Sequence, residues 1–146
     1  SISFINSWFD PPKAKEATLA QIEAGADLIF AERFGVFEAA KEHNVLAFGN
    51  MQDQHDLAPE VVITGPVWDM YPTVLHSVDA VRKGEWKAAD LRQWSMMAEG
   101  GAFLASFHQF KDKLPPELMD EVRGLEAKIQ SGKLVIPVVE TELKTD

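Results

Sequence analysis

Apolar positions along this chain fall into short bursts that alternate with helix-like stretches. Ile2, Phe4 and Ile5 mark a β-rich run from Ser1 to Trp8, bounded by Asp10-Pro11-Pro12, where proline removes backbone donors. Lys13 to Ala24 is rich in Ala, Glu, Lys and Gln, opens on prolines and stops at Gly25, which predicts a helix. Asp27 to Ala31 predicts a short strand, and Phe34 to His43 a second helix with Phe37 and Ala40 on one side. Strands at Val45 to Phe48 and Val61 to Thr64 follow, ending at Gly49 and at Gly65-Pro66. Tyr71, Val74, Leu75, Val78 and Val81 then form a stripe at helical spacing across Asp69 to Lys83, which Gly84 closes. Strands alternating with helices after short turns predict an α/β fold, a doubly wound parallel sheet with helices on both faces.

Beyond Trp86 the pattern changes. Asp90 to Phe110 carries Met96, Met97, Gly100 and Gly101 among alternating apolar residues, which predicts extended segments and turns. Pro115 and Pro116 open a last helix with the stripe Leu118, Val122, Leu125 and Ile129. Ser131-Gly132 ends it, and Lys133 to Val139 is read as a final strand.

Composition narrows the function classes. The 146 residues are 46% hydrophobic and 25% charged, the balance of a folded α/β unit rather than a disordered tail. A net charge of -9 without a basic cluster speaks against a nucleic-acid partner and against docking on an anionic membrane surface. The lack of cysteine excludes disulfides, thiolate nucleophiles and cysteine-based zinc cages. No apolar run approaches the roughly 20 residues that span a bilayer. The start at Ser1, running directly into apolar alternation, reads as a processed or truncated product.

Motifs for catalysis are missing: there is no G-x-S-x-G elbow, P-loop or G-x-G-x-x-G. His43, His55, His76 and His108 form no H-x-x-x-H or H-x-H pair, and His43 suits a helix end. His55, within Gln52-Asp53-Gln54-His55-Asp56, superficially resembles a metal cluster but reads as a solvated turn residue, so no metal site is assigned. Acidic residues are plentiful, yet nothing places two of them as a glycosidase pair.

The informative residues lie at the carboxyl ends of the predicted strands, where doubly wound sheets bind ligands. They read Asn6-Ser7-Trp8-Phe9-Asp10, Glu32-Arg33-Phe34-Gly35, Gly49-Asn50-Met51-Gln52-Asp53 and Gly65-Pro66-Val67-Trp68. Each combines an aromatic or thioether surface with polar groups, which suits a flat heterocycle. Trp8, Phe34 and Trp68 are candidate ring contacts, with capping of the sheet's core as the alternative for each. Glu32, Asn50 and Asp53 are candidate polar contacts, and Gly35 permits close backbone approach. Asp10 is read first as a helix cap and, with Met51, only secondarily as a site residue.

Taken in order, these residues resemble the second lobe of the basic membrane lipoprotein (purine nucleoside receptor-like) solute-binding proteins of ABC importers. The likeness runs through Asn6 to Lys13, Gly25-Ala26-Asp27-Leu28-Ile29, Ala47-Phe48-Gly49 with Asp53-Gln54, Leu57-Ala58-Pro59 and Val62-Ile63-Thr64. It continues through Gly84-Glu85-Trp86, similar to the family's G-T-W, and Ile129-Gln130-Ser131-Gly132-Lys133. The resemblance implies one lobe of a periplasmic-binding-protein type I fold that closes on ligand through a hinge. Residues 1–86 would form the ligand-binding lobe and 87–146 hinge-associated segments with the final helix and strand, the amino-terminal lobe being absent.

The function implied is extracytoplasmic capture of a small, purine-like solute and its delivery to an ABC permease, with no enzymatic step and no cofactor. The location would be the periplasm or the cell surface, attached through a lipid anchor outside this chain. Strand edges meant for the missing lobe could favour self-association. Two departures bear on the ligand. Met51 stands where relatives carry the first acid of a G-x-D-x-D-Q turn expected to grip ribose, and Trp68 where many carry lysine. Both replace a sugar contact by an apolar one, which points to a free base rather than a nucleoside. The alternative is a cytoplasmic ligand-sensing regulator on the same fold. A nucleoside hydrolase would need an Asp-rich quartet that the strand ends lack.

Overall fold

Asp10 fixes where the first helix begins: its carboxylate accepts the Lys13 amide at 3.1 Å, and Pro11 and Pro12 occupy positions whose missing N–H groups no helix bond needs. From that cap run α1 (Pro11–Glu23), β1 (Leu28–Phe30), α2 (Val36–His43), β2 (Leu46–Phe48) and β3 (Val62–Thr64). Then come β4 (Pro66–Trp68), α3 (Tyr71–Arg82), β5 (Ala102–Leu104) and α4 (Pro116–Gln130). These elements come from a computed structural model that describes residues 1–137 and 141. Contacts group the described chain into two units, one of residues 1–65 with Ala105–His108, the other of Pro66–Leu104 with residues 109–137.

In the first unit β1, β2 and β3 form a parallel sheet in that order. Register pairs Phe30 with Phe48 and Phe48 with Thr64, with an irregularity between Ala47 and Phe48. The core is built of small and β-branched residues around one aromatic, Phe37: Ala14, Ile29, Ala31, Val36, Ala40, Ala47, Ala58, Val61 and Val62. Small alanines on facing surfaces let α1 and α2 pack closely together, and Ala39 and Ala40 are completely buried. At the end of β3, Thr64 Oγ1 donates to the Ala105 carbonyl at 2.7 Å and the Ala105 amide donates to Gly65 at 2.9 Å. A Cβ on Gly65 would sit 2.5 Å from the Gly49 carbonyl oxygen, so glycine is needed where these two turns meet.

In the second unit β4 and β5 pair antiparallel, Pro66 opposite Leu104 and Trp68 opposite Ala102. Asp69 accepts the Tyr71 amide at 2.8 Å and so opens α3, while His76 stacks on Trp94 at 4.4 Å. The predicted stripe of α3 is present but uncovered: Tyr71, Val74, Leu75, Val78 and Val81 are all exposed.

Three expectations need correction. Ser1 to Trp8 forms no strand, because Asn6 at φ 52 interrupts the extended backbone; Ile5 still packs on the core while Ile2 and Phe4 stay exposed. Pro66 does not simply end a strand but begins β4, a position where the missing donor is tolerated. Residues 133–137 are irregular rather than extended in a ladder, and the last two residues of that expected strand lie outside the described residues.

Candidate functional site

Because β1 and β2 are neighbours with Phe30 and Phe48 in register, the residues two places beyond them emerge side by side. These are Glu32 and Asn50. Asn50 Nδ2 donates to Glu32 Oε1 at 2.7 Å, and Asn50 is only 7% exposed. Its carboxamide oxygen accepts the Met51 amide at 3.0 Å, while its own amide donates to Gln54 Oε1 at 2.8 Å. Gln54 therefore closes the turn after β2, seated against Gly49, where a Cβ would lie 3.0 Å from its Oε1. The turn places Met51 at φ 69 with its side chain exposed.

The turn after β1 is organised by Arg33. Its guanidinium donates to the Glu32 carbonyl at 2.8 Å, lies 3.3 Å from Glu32 Oε2 and sits 5.2 Å over the Trp8 ring. Such a cation over an indole is attractive. Phe34 meets Phe9 edge to face, with ring centres 5.9 Å apart. Gly35, at φ 103, has its tight contact with Pro11 of α1: an added Cβ would stand 2.1 Å from the Pro11 carbonyl oxygen. A cavity of about 760 Å³ is lined by Ile5, Trp8, Ala14, Phe30, Glu32 and Arg33, among others.

Asp53 faces a different set of groups. Its carboxylate pairs with His108 Nε2 at 2.7 Å and accepts the His55 amide at 3.1 Å. Burial works against its charge, but these hydrogen bonds and the two nearby imidazoles outweigh it and hold the carboxyl below its usual range. His55 is not the solvated turn residue expected. It is half-buried, its Nδ1 lies 3.1 Å from the Val62 carbonyl, and its ring stacks on His108 at 4.0 Å. Among the described residues no group of three His, Asp or Glu could hold a metal ion.

Within the first unit, then, Arg33 joins Trp8 to Glu32, Asn50 bonds Glu32 directly, Phe34 is joined to Phe9, and Asp10 caps α1. Trp68 belongs to the second unit, where it ends β4 and is 56% exposed. Sequence reasoning missed the organising roles of Arg33, Gln54 and His108. The first two stand beside candidates already chosen, which is a usable signal; His108 lies 55 positions from Asp53 and has none.

The chain is 32% identical over 135 residues to a purine-binding protein of Brucella abortus, covering 91% of this chain and 37% of that protein. It is 27% identical over 135 residues to a putative ABC transporter glucose-binding protein of Haloferax volcanii, covering 91% of this chain and 33% of that one. It thus spans about a third of the length of these relatives. The fold matches an ABC transporter system solute-binding protein from Aeropyrum pernix with TM-score 0.73 at 15% identity, over 95% of this chain and 48% of the other. That agrees with one lobe of a periplasmic-binding-protein fold. Residues 1–140 match the family described as ABC transporter substrate-binding protein, PnrA-like, and the chain belongs to that family.

Proposed function

We propose that this chain supplies one wall of the ligand cleft in an extracytoplasmic solute-binding protein that delivers a small flat heterocycle, a purine base or close analogue, to an ABC permease. In this reading residues 1–86 form the ligand-binding lobe, and 87–146 belong with the hinge and the rest of the protein. No covalent chemistry is involved; hinge closure is the working motion. Among the described residues no helix is long and apolar enough to cross a membrane. Attachment through a lipid anchor outside this chain is part of the proposal.

One observation carries the reading: at neighbouring strand ends an exposed acid is pinned by a buried amide, and Arg33 joins that acid to an 88% exposed tryptophan that precedes α1. Aromatic faces recognise rings, and a few fixed polar groups orient them. A purine-binding relative supports this choice, while the glucose-binding relative marks the competing one. Met51 and the aromatic residues favour a ring over a polyhydroxylated sugar, and a free base over its nucleoside.

Calorimetry of the complete protein with adenine, guanine, their nucleosides and glucose tests the proposal. Purine binding with the bases tighter than the nucleosides is expected. Binding of glucose with no response to any purine would overturn it.

A further inference from the structure

Glu32 is restrained for an exposed acid. Its side chain is 61% exposed, yet Asn50 Nδ2 holds Oε1 at 2.7 Å and Arg33 approaches Oε2 at 3.3 Å. Asn50 cannot turn away without breaking its own bond to the Met51 amide. A carboxylate offers about four lone-pair positions, and two are taken, one on each oxygen. What remains is a pair of acceptors, one per oxygen, in a fixed plane. Two parallel N–H groups match such a pair as a guanidinium fork does. Glu32, Trp8 and Phe30 line one cavity, so a flat ring held there can turn the edge that carries those donors to the carboxylate.

We infer that Glu32 selects the ligand by its edge, and that the preferred ligand is a fused heterocycle with two neighbouring N–H donors, a 2-amino-lactam such as guanine rather than a 6-amino ring such as adenine. This rests on the heterocycle reading above and narrows it. Adenine sets a ring nitrogen acceptor beside its amino donor. Brought against Glu32, that nitrogen faces a carboxylate oxygen, and both acceptors are left without a proton between them. A site arranged to accept hydrogen bonds rejects a partner that lacks the donor far more strongly than an apolar pocket rejects a change in size. Glutamine at this position would present one donor and one acceptor, the set that pairs with adenine.

Calorimetry on the complete protein with guanine, hypoxanthine and adenine, repeated on Glu32→Gln, tests the assignment. Hypoxanthine keeps the ring N–H of guanine and lacks its amino group. The natural protein should bind guanine most tightly, hypoxanthine next and adenine weakest, with about tenfold or more between first and last. Glu32→Gln should lose at least about tenfold for guanine and hold or gain for adenine. Thermal melts run alongside show whether the variant is folded, and the ranking in the natural protein decides the matter even where it is not. Adenine binding as tightly as guanine, or Glu32→Gln weakening all three alike, overturns the edge assignment while leaving a purine site standing. Failure of all three to bind removes the heterocycle reading and this inference together.

Discussion

Asn50 and Glu32 stand 18 positions apart in sequence and 2.7 Å apart in space, a buried amide holding an exposed acid. Replacing Asn50 by alanine removes the donor to Glu32 and leaves the Met51 amide without its acceptor. We expect a loss of about 1–2 kcal/mol in urea unfolding and weaker ligand binding, because the freed carboxylate must be ordered by the ligand. Unchanged affinity in calorimetry would show that Glu32 does not need the strut.

Trp8 separates binding from stability. At 88% exposure it contributes little to the core, so Trp8→Ala should leave the unfolding midpoint within about 0.5–1 kcal/mol of the natural value, the worth of its exposed contact with Arg33. Ligand affinity should fall about tenfold, and Trp8→Phe should recover much of it, since a ring face is retained. Fluorescence titration reads both effects.

Gly35 tests the backbone. Alanine there combines a left-handed φ of 103 with a side-chain atom 2.1 Å from the Pro11 carbonyl oxygen, which only movement of the first turn of α1 can relieve. Gly35→Ala should therefore cost at least about 2 kcal/mol. A thermal melt unchanged from the natural protein would show that the turn gives way easily.

Asp53 predicts a pH dependence. Its carboxyl is held below the ordinary value in the folded chain, so the ionised form stabilises the fold. That contribution is complete above the unfolded value near pH 3.9 and disappears as pH falls through the lower folded value. With the carboxylate 42% exposed, the pair with His108 is worth only about 0.5 kcal/mol. Asp53→Asn should cost about that much near pH 6 and progressively less towards pH 2, as followed by urea unfolding. An equal cost at both ends would argue against the charge.

Much of the first unit is legible because a glycine stands near an end of each short strand, at Gly25, Gly49 and Gly65, and because Asp10 and the prolines after it mark the start of α1. Glu32 and Asn50 could be selected because strand ends are where parallel sheets hold their polar groups. What the pattern hid was non-local. His108 reaches Asp53 across 55 positions, and no periodicity announces such a pairing. β4 was hidden by Pro66, whose missing donor masked a strand start, and Asn6 broke the run from Ser1 to Trp8 through a backbone angle that apolar alternation does not report. The stripe on α3 lies where its spacing predicts, but spacing alone does not say whether a neighbour covers it.

The bond from Thr64 to Ala105 joins residues separated by 41 positions, and everything between them except Gly65 belongs to the second unit. During synthesis the sheet must therefore wait, its last strand end unsatisfied, until the ribosome has released the whole intervening stretch. Closing a loop of that length adds only about 0.6 kcal/mol of entropy for each doubling, so the delay is kinetic more than energetic. Nascent chains halted before Ala105 should thus be more open to proteolysis near β3 than chains extended past His108.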